Sequence, residues 1–229
     1  MSGRAVLIMT CGLLTAAVIH FAYWLNIHAP GATLQAVYQC NPYFEGCVSV
    51  SRAVRSGPGL YWFKLVMLPL AICLPMAWLF VRKWMRAVAP SMSRTRLWAF
   101  RLGVGGAVAL VFYVVFLGTD GEIYKWLRRY GVVFFFGFTA LAQLLTARLA
   151  WDVFDSLRQA PAALFIIAVG LQWAIGVSSV FKKLVFDDPY LINQLENISE
   201  WMMVALMALA FILIGLMVMD QRRQKPESY

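Results

Sequence analysis

The chain has 229 residues, of which 62% are hydrophobic and only 14% are charged. An ordinary soluble domain has about 45 to 50% apolar residues and about 25% charged residues. Its charged residues stand in short clusters between long apolar runs, so they cannot supply the polar surface that a soluble fold needs. The net charge of +9 does not indicate nucleic-acid binding, because the basic residues flank apolar runs instead of gathering on one polar face. The composition excludes a typical soluble protein and predicts an integral membrane protein.

Six segments are long and apolar enough to be membrane spans. A helix that crosses a hydrocarbon core of about 30 Å needs about 20 mostly apolar residues. Lys64 and Arg101 are tolerated near span ends, since long basic side chains can reach the interface. We therefore predict an all-α polytopic protein, a single six-helix domain over residues 1–229, with spans at about 5–25, 60–81, 100–117, 131–149, 162–181 and 200–219.

The first span resembles a secretory signal peptide over Met1 to Ala17, with one arginine, an apolar run and small residues. The apolar run continues past any plausible cleavage site to an aromatic end at Tyr23 and Trp24. Aromatic residues are typical of a membrane interface. We interpret this segment as an uncleaved membrane anchor.

The basic residues predict the orientation of the bundle. Six spans place both termini on one side, and this side holds the densest basic cluster, at residues 82–101. Acidic residues are more frequent on the opposite side. Because positively charged loops stay in the cytoplasm, both termini are predicted to be cytoplasmic.

Two cysteines, Cys40 and Cys47, lie in the longest loop, in the sequence Cys-Asn-Pro-Tyr-Phe-Glu-Gly-Cys. The proline and the glycine let this loop turn back on itself, and an extracytoplasmic compartment would allow the thiols to oxidise. We expect a disulfide, with free thiols and metal ligation as the alternatives. Zinc would need two further ligands, and His20 and His28 are poorly placed to supply them.

The sequence contains no nucleophile motif, zinc-protease motif, phosphate loop or dinucleotide fingerprint. No charge lies in the middle of a span, which argues against an ion path. His20 and His28 are eight residues apart at one chain end and do not fit a bis-histidine haem. No catalytic residue, metal or cofactor is therefore predicted. Gln143 and Gln172 are expected to bond across helices, and Gly103–Gly106 predicts close helix packing.

Basic and aromatic residues also follow the spans on the extracytoplasmic side. Arginine binds phosphate through two parallel hydrogen bonds, and aromatic side chains favour the interface. We expect this surface to contact anionic lipid headgroups or a protein partner through Arg52, Arg55, Arg128, Arg129 and Trp126. Near the last span, Asn197 and Glu200 have capping-box spacing, which predicts a helix start there.

Several motifs together resemble the FRAG/DRAM/SFK family of damage-regulated autophagy modulator-like proteins. They are the aromatic-proline turn at 41–46, the serines and Gly-Pro-Gly at 49–59, the loop at 118–130, and Asn197-x-x-Glu200-Trp201. The resemblance implies a non-enzymatic six-helix protein that affects lipid distribution or supports lipid-handling machinery. The cysteine pair departs from the family pattern and suggests a bacterial-type member in the inner membrane. Membrane lipids and an envelope protein are then the expected partners, and nucleic acid is not.

A lipid-modifying enzyme or a small lipid or solute transporter is the alternative. Its site would be assembled from loop charges on the extracytoplasmic side. An enzyme requires several of these groups around one pocket, whereas a scaffold can leave them scattered. The candidate groups are Arg52, Arg55, Asp120, Glu122, Arg128, Arg129, Asp187 and Asp188.

Overall fold

The computed structural model describes residues 3–30, 40–157 and 159–224, and within these ranges it contains helices and no strands. Six of the helices are long and apolar enough to cross a membrane, which confirms the predicted all-α polytopic bundle. The elements are α1 (Gly3–His28), α2 (Val50–Ala53), α3 (Gly57–Val88), α4 (Ser93–Phe116), α5 (Glu122–Asp152), a 3-10 turn (Phe154–Ser156), α6 (Gln159–Val185) and α7 (Pro189–Gln224).

The last helix begins earlier than the sequence indicated. The helix start predicted from Asn197 and Glu200 is wrong, because α7 begins at Pro189 and Asn197 lies in its third turn. Asp188 caps α7, since its carboxylate accepts a hydrogen bond from the Tyr190 amide at 2.9 Å. The polar turns before the apolar run remain helical because their side chains find partners elsewhere in the protein.

The six long helices form a ring. Each packs against the next in the chain, and α7 returns to pack against α1. The contact between α5 and α6 is the sparsest in this ring. We call the end that holds Cys40 and Cys47 the disulfide end, and the opposite end, where α1 begins, the terminal end.

Glycines bring neighbouring helices close together. A methyl group at Gly103 would lie 2.3 Å from the Trp78 ring on α3, and one at Gly12 would lie 2.4 Å from the Ala208 carbonyl oxygen on α7. Neither contact leaves room for a side chain, so the close packing predicted for Gly103–Gly106 is confirmed.

The two buried glutamines behave differently. Gln143 Nε2 donates to the Met207 carbonyl oxygen at 3.1 Å and joins α5 to α7, as predicted. The same prediction is wrong for Gln172, whose amide atoms are buried without a partner among the described residues. The neighbouring Trp173 makes the cross-helix bond instead, from its Nε1 to the Ala140 carbonyl oxygen at 3.4 Å.

Candidate functional site

The first loop at the disulfide end is closed by a bond between Cys40 and Cys47, as predicted. Between them the chain turns tightly: the Asn41 side-chain oxygen accepts from the Tyr43 amide at 3.0 Å. Gly46 has a φ of 59°, and a methyl group there would lie 2.3 Å from the Gln194 carbonyl oxygen. The loop therefore needs a glycine at 46, both for its backbone conformation and for its approach to α7.

Side chains of α7 bind the backbone of this loop. Three side chains donate to carbonyl oxygens of neighbouring loop residues. Gln194 Nε2 donates to Glu45 at 3.2 Å, Asn197 Nδ2 donates to Gly46 at 2.6 Å, and Trp201 Nε1 donates to Val48 at 2.8 Å. The donors are three, four and seven residues apart, so they lie on one helix face. At Gly46 and Val48 this face satisfies loop carbonyls that would otherwise be buried unpaired.

The next loop residues form α2, and Glu200 holds its start. The Glu200 carboxylate faces the backbone amides of Val50 and Ser51. The motif Asn197-x-x-Glu200-Trp201 is thus a docking surface for the backbone of residues 46–51, and it has no role in starting α7.

Aromatic rings surround the docked loop. Trp201 is fully buried, and the rings of His20, Tyr23 and Tyr43 each lie 5.5 Å from it. His20 Nδ1 lies 2.7 Å from the Ala16 carbonyl oxygen and must donate to it, and His20 Nε2 is hydrogen-bonded to the Tyr43 hydroxyl at 2.9 Å. Burial raises the pKa of Tyr43, which keeps the phenol protonated in this role.

Loss of the disulfide is expected to loosen the loop. In the chain-entropy model, closing eight residues contributes about 2 to 3 kcal/mol. Replacing Cys40 and Cys47 with serine should therefore lower the thermal midpoint in detergent, whereas Cys73→Ser, which removes an exposed free thiol, should not. Mass measurement after alkylation of the denatured, unreduced protein should show two labels, on Cys11 and Cys73. Four labels would show that the bond is absent.

A cavity of about 420 Å³ lies inside the ring of helices. Its volume is within the range of small-molecule sites. Along α7 it extends from Glu196 to Phe211, a depth of about 22 Å at the helical rise of 1.5 Å per residue. Most of its wall is apolar, and it is formed by side chains such as Phe63, Met67 and Leu110. The cavity is thus deep and hydrophobic.

The polar part of the wall is at the disulfide end. Lys182 Nζ lies 2.8 Å from Glu196 Oε1 and donates to Ser179 Oγ at 3.0 Å. The Lys182 side chain is only 10% exposed, whereas the Glu196 side chain is 44% exposed, so the ion pair joins a buried ammonium group to a carboxylate that reaches the surface. Glu200 and Ser51 complete the polar end. A deep apolar cavity with a polar end matches the arrangement of the apolar chain and polar headgroup in an amphiphile.

The docked loop lines the disulfide end of the cavity, and partly exposed residues line its side between α5 and α6. Val50 and Ser51 line it from the docked loop. Val133 of α5 both lines the cavity and is 56% exposed, and Gly176 faces the cavity from α6 without a side chain. This gap coincides with the sparse contact between α5 and α6. The opening therefore faces the hydrocarbon of the membrane.

The structure brings three of the predicted contact residues together. Arg55 Nη2 donates to Ser51 Oγ at 3.4 Å, and Arg128 Nη1 donates to the Thr119 carbonyl oxygen at 3.1 Å. Partial burial lowers the pKa of Arg55, and the charges of Arg128 and Arg52 lower it further. Arg55 thus lies close enough to Arg52 and to Arg128 to be repelled by both.

The other two predicted contact residues are on the outer surface of α5. Arg129 is exposed, and Trp126 is an exposed ring that stacks on Tyr130 at 5.4 Å. The Trp126 ring starts a column of stacked aromatic residues that continues through the exposed Phe134 to the half-buried Phe138. This column suits the membrane interface.

The charges of the alternative enzyme site do not line the cavity. Glu122 pairs with Lys125 at 3.7 Å, Asp188 caps α7, and Asp120 and Asp187 are exposed. None of the eight candidate groups is among the described residues that form the cavity wall. In the described ranges no three His, Cys, Asp or Glu side chains are grouped as metal ligands.

Sequence reasoning missed the polar end of the cavity. Lys182 and Glu196 lie outside the predicted spans, in the loop between the last two. The signal that could have found them is the spacing on α7, where Glu196, Glu200 and Met203 repeat at helical intervals and continue the apolar face of the helix.

Comparison with known proteins gave no matching family model, no matching curated protein and no matching solved structure.

Proposed function

We propose that the protein is a non-enzymatic integral membrane protein that acts on membrane lipids by holding a lipid hydrocarbon chain in its central cavity. It does so alone or for a lipid-handling partner protein of the envelope. The observation that carries this proposal is the deep apolar cavity, open between α5 and α6 and polar at the disulfide end. The proposal also agrees with the role that the family resemblance implies.

The proposed location is a bacterial inner membrane, with both termini in the cytoplasm. The basic cluster at 82–101 supports this orientation. The Cys40–Cys47 bond then lies in an oxidising compartment, where disulfides persist. The lateral opening faces lipid in the outer half of this membrane.

Filling the cavity tests the proposal. A methyl group at Gly176 would meet only the Met203 sulfur, at 3.8 Å, so a leucine there can extend into the cavity. Displacing about two methylene groups of a bound chain costs about 1.6 kcal/mol, or about a tenfold loss of affinity. Gly176→Leu should therefore reduce the lipid that co-purifies with each protein molecule by about that factor, as measured by mass spectrometry of extracted lipid.

Gly170→Leu is the matched control. Gly170 is exposed on the same helix, and a methyl group there would meet nothing within 4 Å. This variant should retain lipid at the wild-type level. Equal retention by both variants would contradict a cavity-bound chain. Turnover of a purified lipid, abolished by Asp120→Asn or Asp187→Asn, would instead favour the enzyme.

A further inference from the structure

The three clustered arginines come from separate parts of the fold. Arg52 is on α2, Arg55 is in the connection to α3, and Arg128 is on the second turn of α5. The turn at Gly118 and Thr119 joins Arg55 to Arg128. A methyl group at Gly118 would lie 2.9 Å from the Arg55 carbonyl oxygen, and Thr119 accepts the bond from Arg128.

No ion pair within the described part of the chain includes an arginine of this cluster. The ion pairs there join Lys125 to Glu122, Arg148 to Asp152 and Lys182 to Glu196, and none includes the three arginines. Glu200 acts on Arg55 from nearby, but its carboxylate faces the amides of α2. Arg55 is repelled by both Arg52 and Arg128, and a bound anion relieves that repulsion.

The cluster adjoins the polar end of the cavity. Ser51, which accepts the bond from Arg55, also lines the cavity. Tyr113 lines the cavity too and lies within electrostatic range of Arg55. A molecule whose chain fills the cavity would therefore place its polar group beside the arginines.

We propose that Arg52, Arg55 and Arg128 bind a phosphate-bearing anionic group, expected to be the headgroup of the lipid whose chain occupies the cavity. This inference rests on the proposed function. The planar guanidinium group donates two parallel hydrogen bonds to phosphate oxygens, which lysine cannot do. Lys182 is already paired with Glu196, so the arginines supply unpaired positive charge next to the polar end of the cavity, and this charge favours a net-negative headgroup over a zwitterionic one.

Lipid selection from a mixed bilayer tests this site. The protein is reconstituted in nanodiscs of equal parts phosphatidylglycerol and phosphatidylcholine, re-extracted, and its retained lipid is identified. We expect about tenfold enrichment of phosphatidylglycerol in the wild type. The double variant Arg55→Gln/Arg128→Gln should lose this enrichment while retaining the same total lipid.

The matched control is Lys125→Gln/Arg129→Gln, which removes the same charge from exposed positions on the first turns of α5. It should keep the enrichment. Equal enrichment in all three proteins, or none in the wild type, would overturn the arginine site and leave the proposed function standing. Absence of any retained lipid in the wild type would overturn the proposed function as well.

Inorganic phosphate shows whether the arginines bind the phosphate of a lipid headgroup or a free phosphate ion. For a lipid headgroup, Gly176→Leu reduces the retained phosphatidylglycerol, and millimolar phosphate leaves the thermal midpoint of the delipidated protein unchanged. For a free anion, phosphate raises this midpoint equally in the wild type and in Gly176→Leu, and the rise disappears in Arg55→Gln/Arg128→Gln. The arginine site would be wrong if Gly176→Leu left the retained phosphatidylglycerol unchanged and phosphate also left the thermal midpoint unchanged.

Discussion

Replacing Trp201 with alanine is expected to destabilise the protein by about 3 to 5 kcal/mol, the usual cost of deleting a buried tryptophan side chain. The Trp201 ring is fully buried between α1 and the first loop, against His20, Tyr23 and Tyr43. Its loss also leaves the Val48 carbonyl oxygen without its donor. The measurement is the free energy of unfolding in mixed micelles.

Two further variants separate the causes of this loss. Trp201→Phe keeps most of the ring but removes the Nε1 donor, so it should cost about 1 to 3 kcal/mol. Trp151→Ala removes a tryptophan that is largely exposed and should change stability little. If Trp201→Ala were no worse than Trp151→Ala, the docking of the first loop on α7 would be wrong.

Replacing Asn26 with leucine is the second change with a large expected effect. Asn26 is completely buried, and both ends of its amide are used: Nδ2 donates to the Ala53 carbonyl oxygen at 2.8 Å, and Oδ1 accepts from the Gly59 amide at 2.9 Å. Leucine has a similar size but leaves both backbone groups unpaired. Each unpaired group costs about 1 to 3 kcal/mol, so we expect about 2 to 6 kcal/mol in total.

The same substitution at an exposed site is the control. Asn193 is exposed on α7, and Asn193→Leu should leave the unfolding free energy within about 0.5 kcal/mol of the wild type. Hydrogen exchange of the Gly59 amide gives a second measurement, since it should become faster only in Asn26→Leu. A stability of Asn26→Leu equal to that of Asn193→Leu would show that Asn26 does not join α1 to α2 and α3.

The spans could be predicted because apolarity over about 20 residues is a local property of the chain. The disulfide could be predicted for a similar reason, since Cys40 and Cys47 are separated by six residues that include a proline and a glycine. The arginines could be identified as basic residues beside interfacial aromatics. Their separation into a cluster of three and a separate Arg129 depends on the contact of Arg55, in the connection after α2, with Gly118, in the loop before α5.

The role of Asn197 could not be predicted from its neighbours. Its spacing from Glu200 fits a capping box, but its partner is the Gly46 carbonyl oxygen, 151 residues away in the chain. The cavity could not be predicted either, because it also depends on contacts between residues that are distant in the chain. Its wall is built by all six long helices, and their rotations about their own axes are set by contacts such as Gly103 on Trp78 and Gly12 on Ala208.

Density in the cavity is the most direct test of the proposed lipid binding. The protein in lipid nanodiscs, imaged by electron cryo-microscopy with a fiducial partner, should show one elongated density between the six helices. This density should extend from the gap beside Gly176 towards Phe211, with its wider end near Ser51 and the arginines. A cavity that is collapsed, or that holds only separate water-sized peaks, would contradict the account.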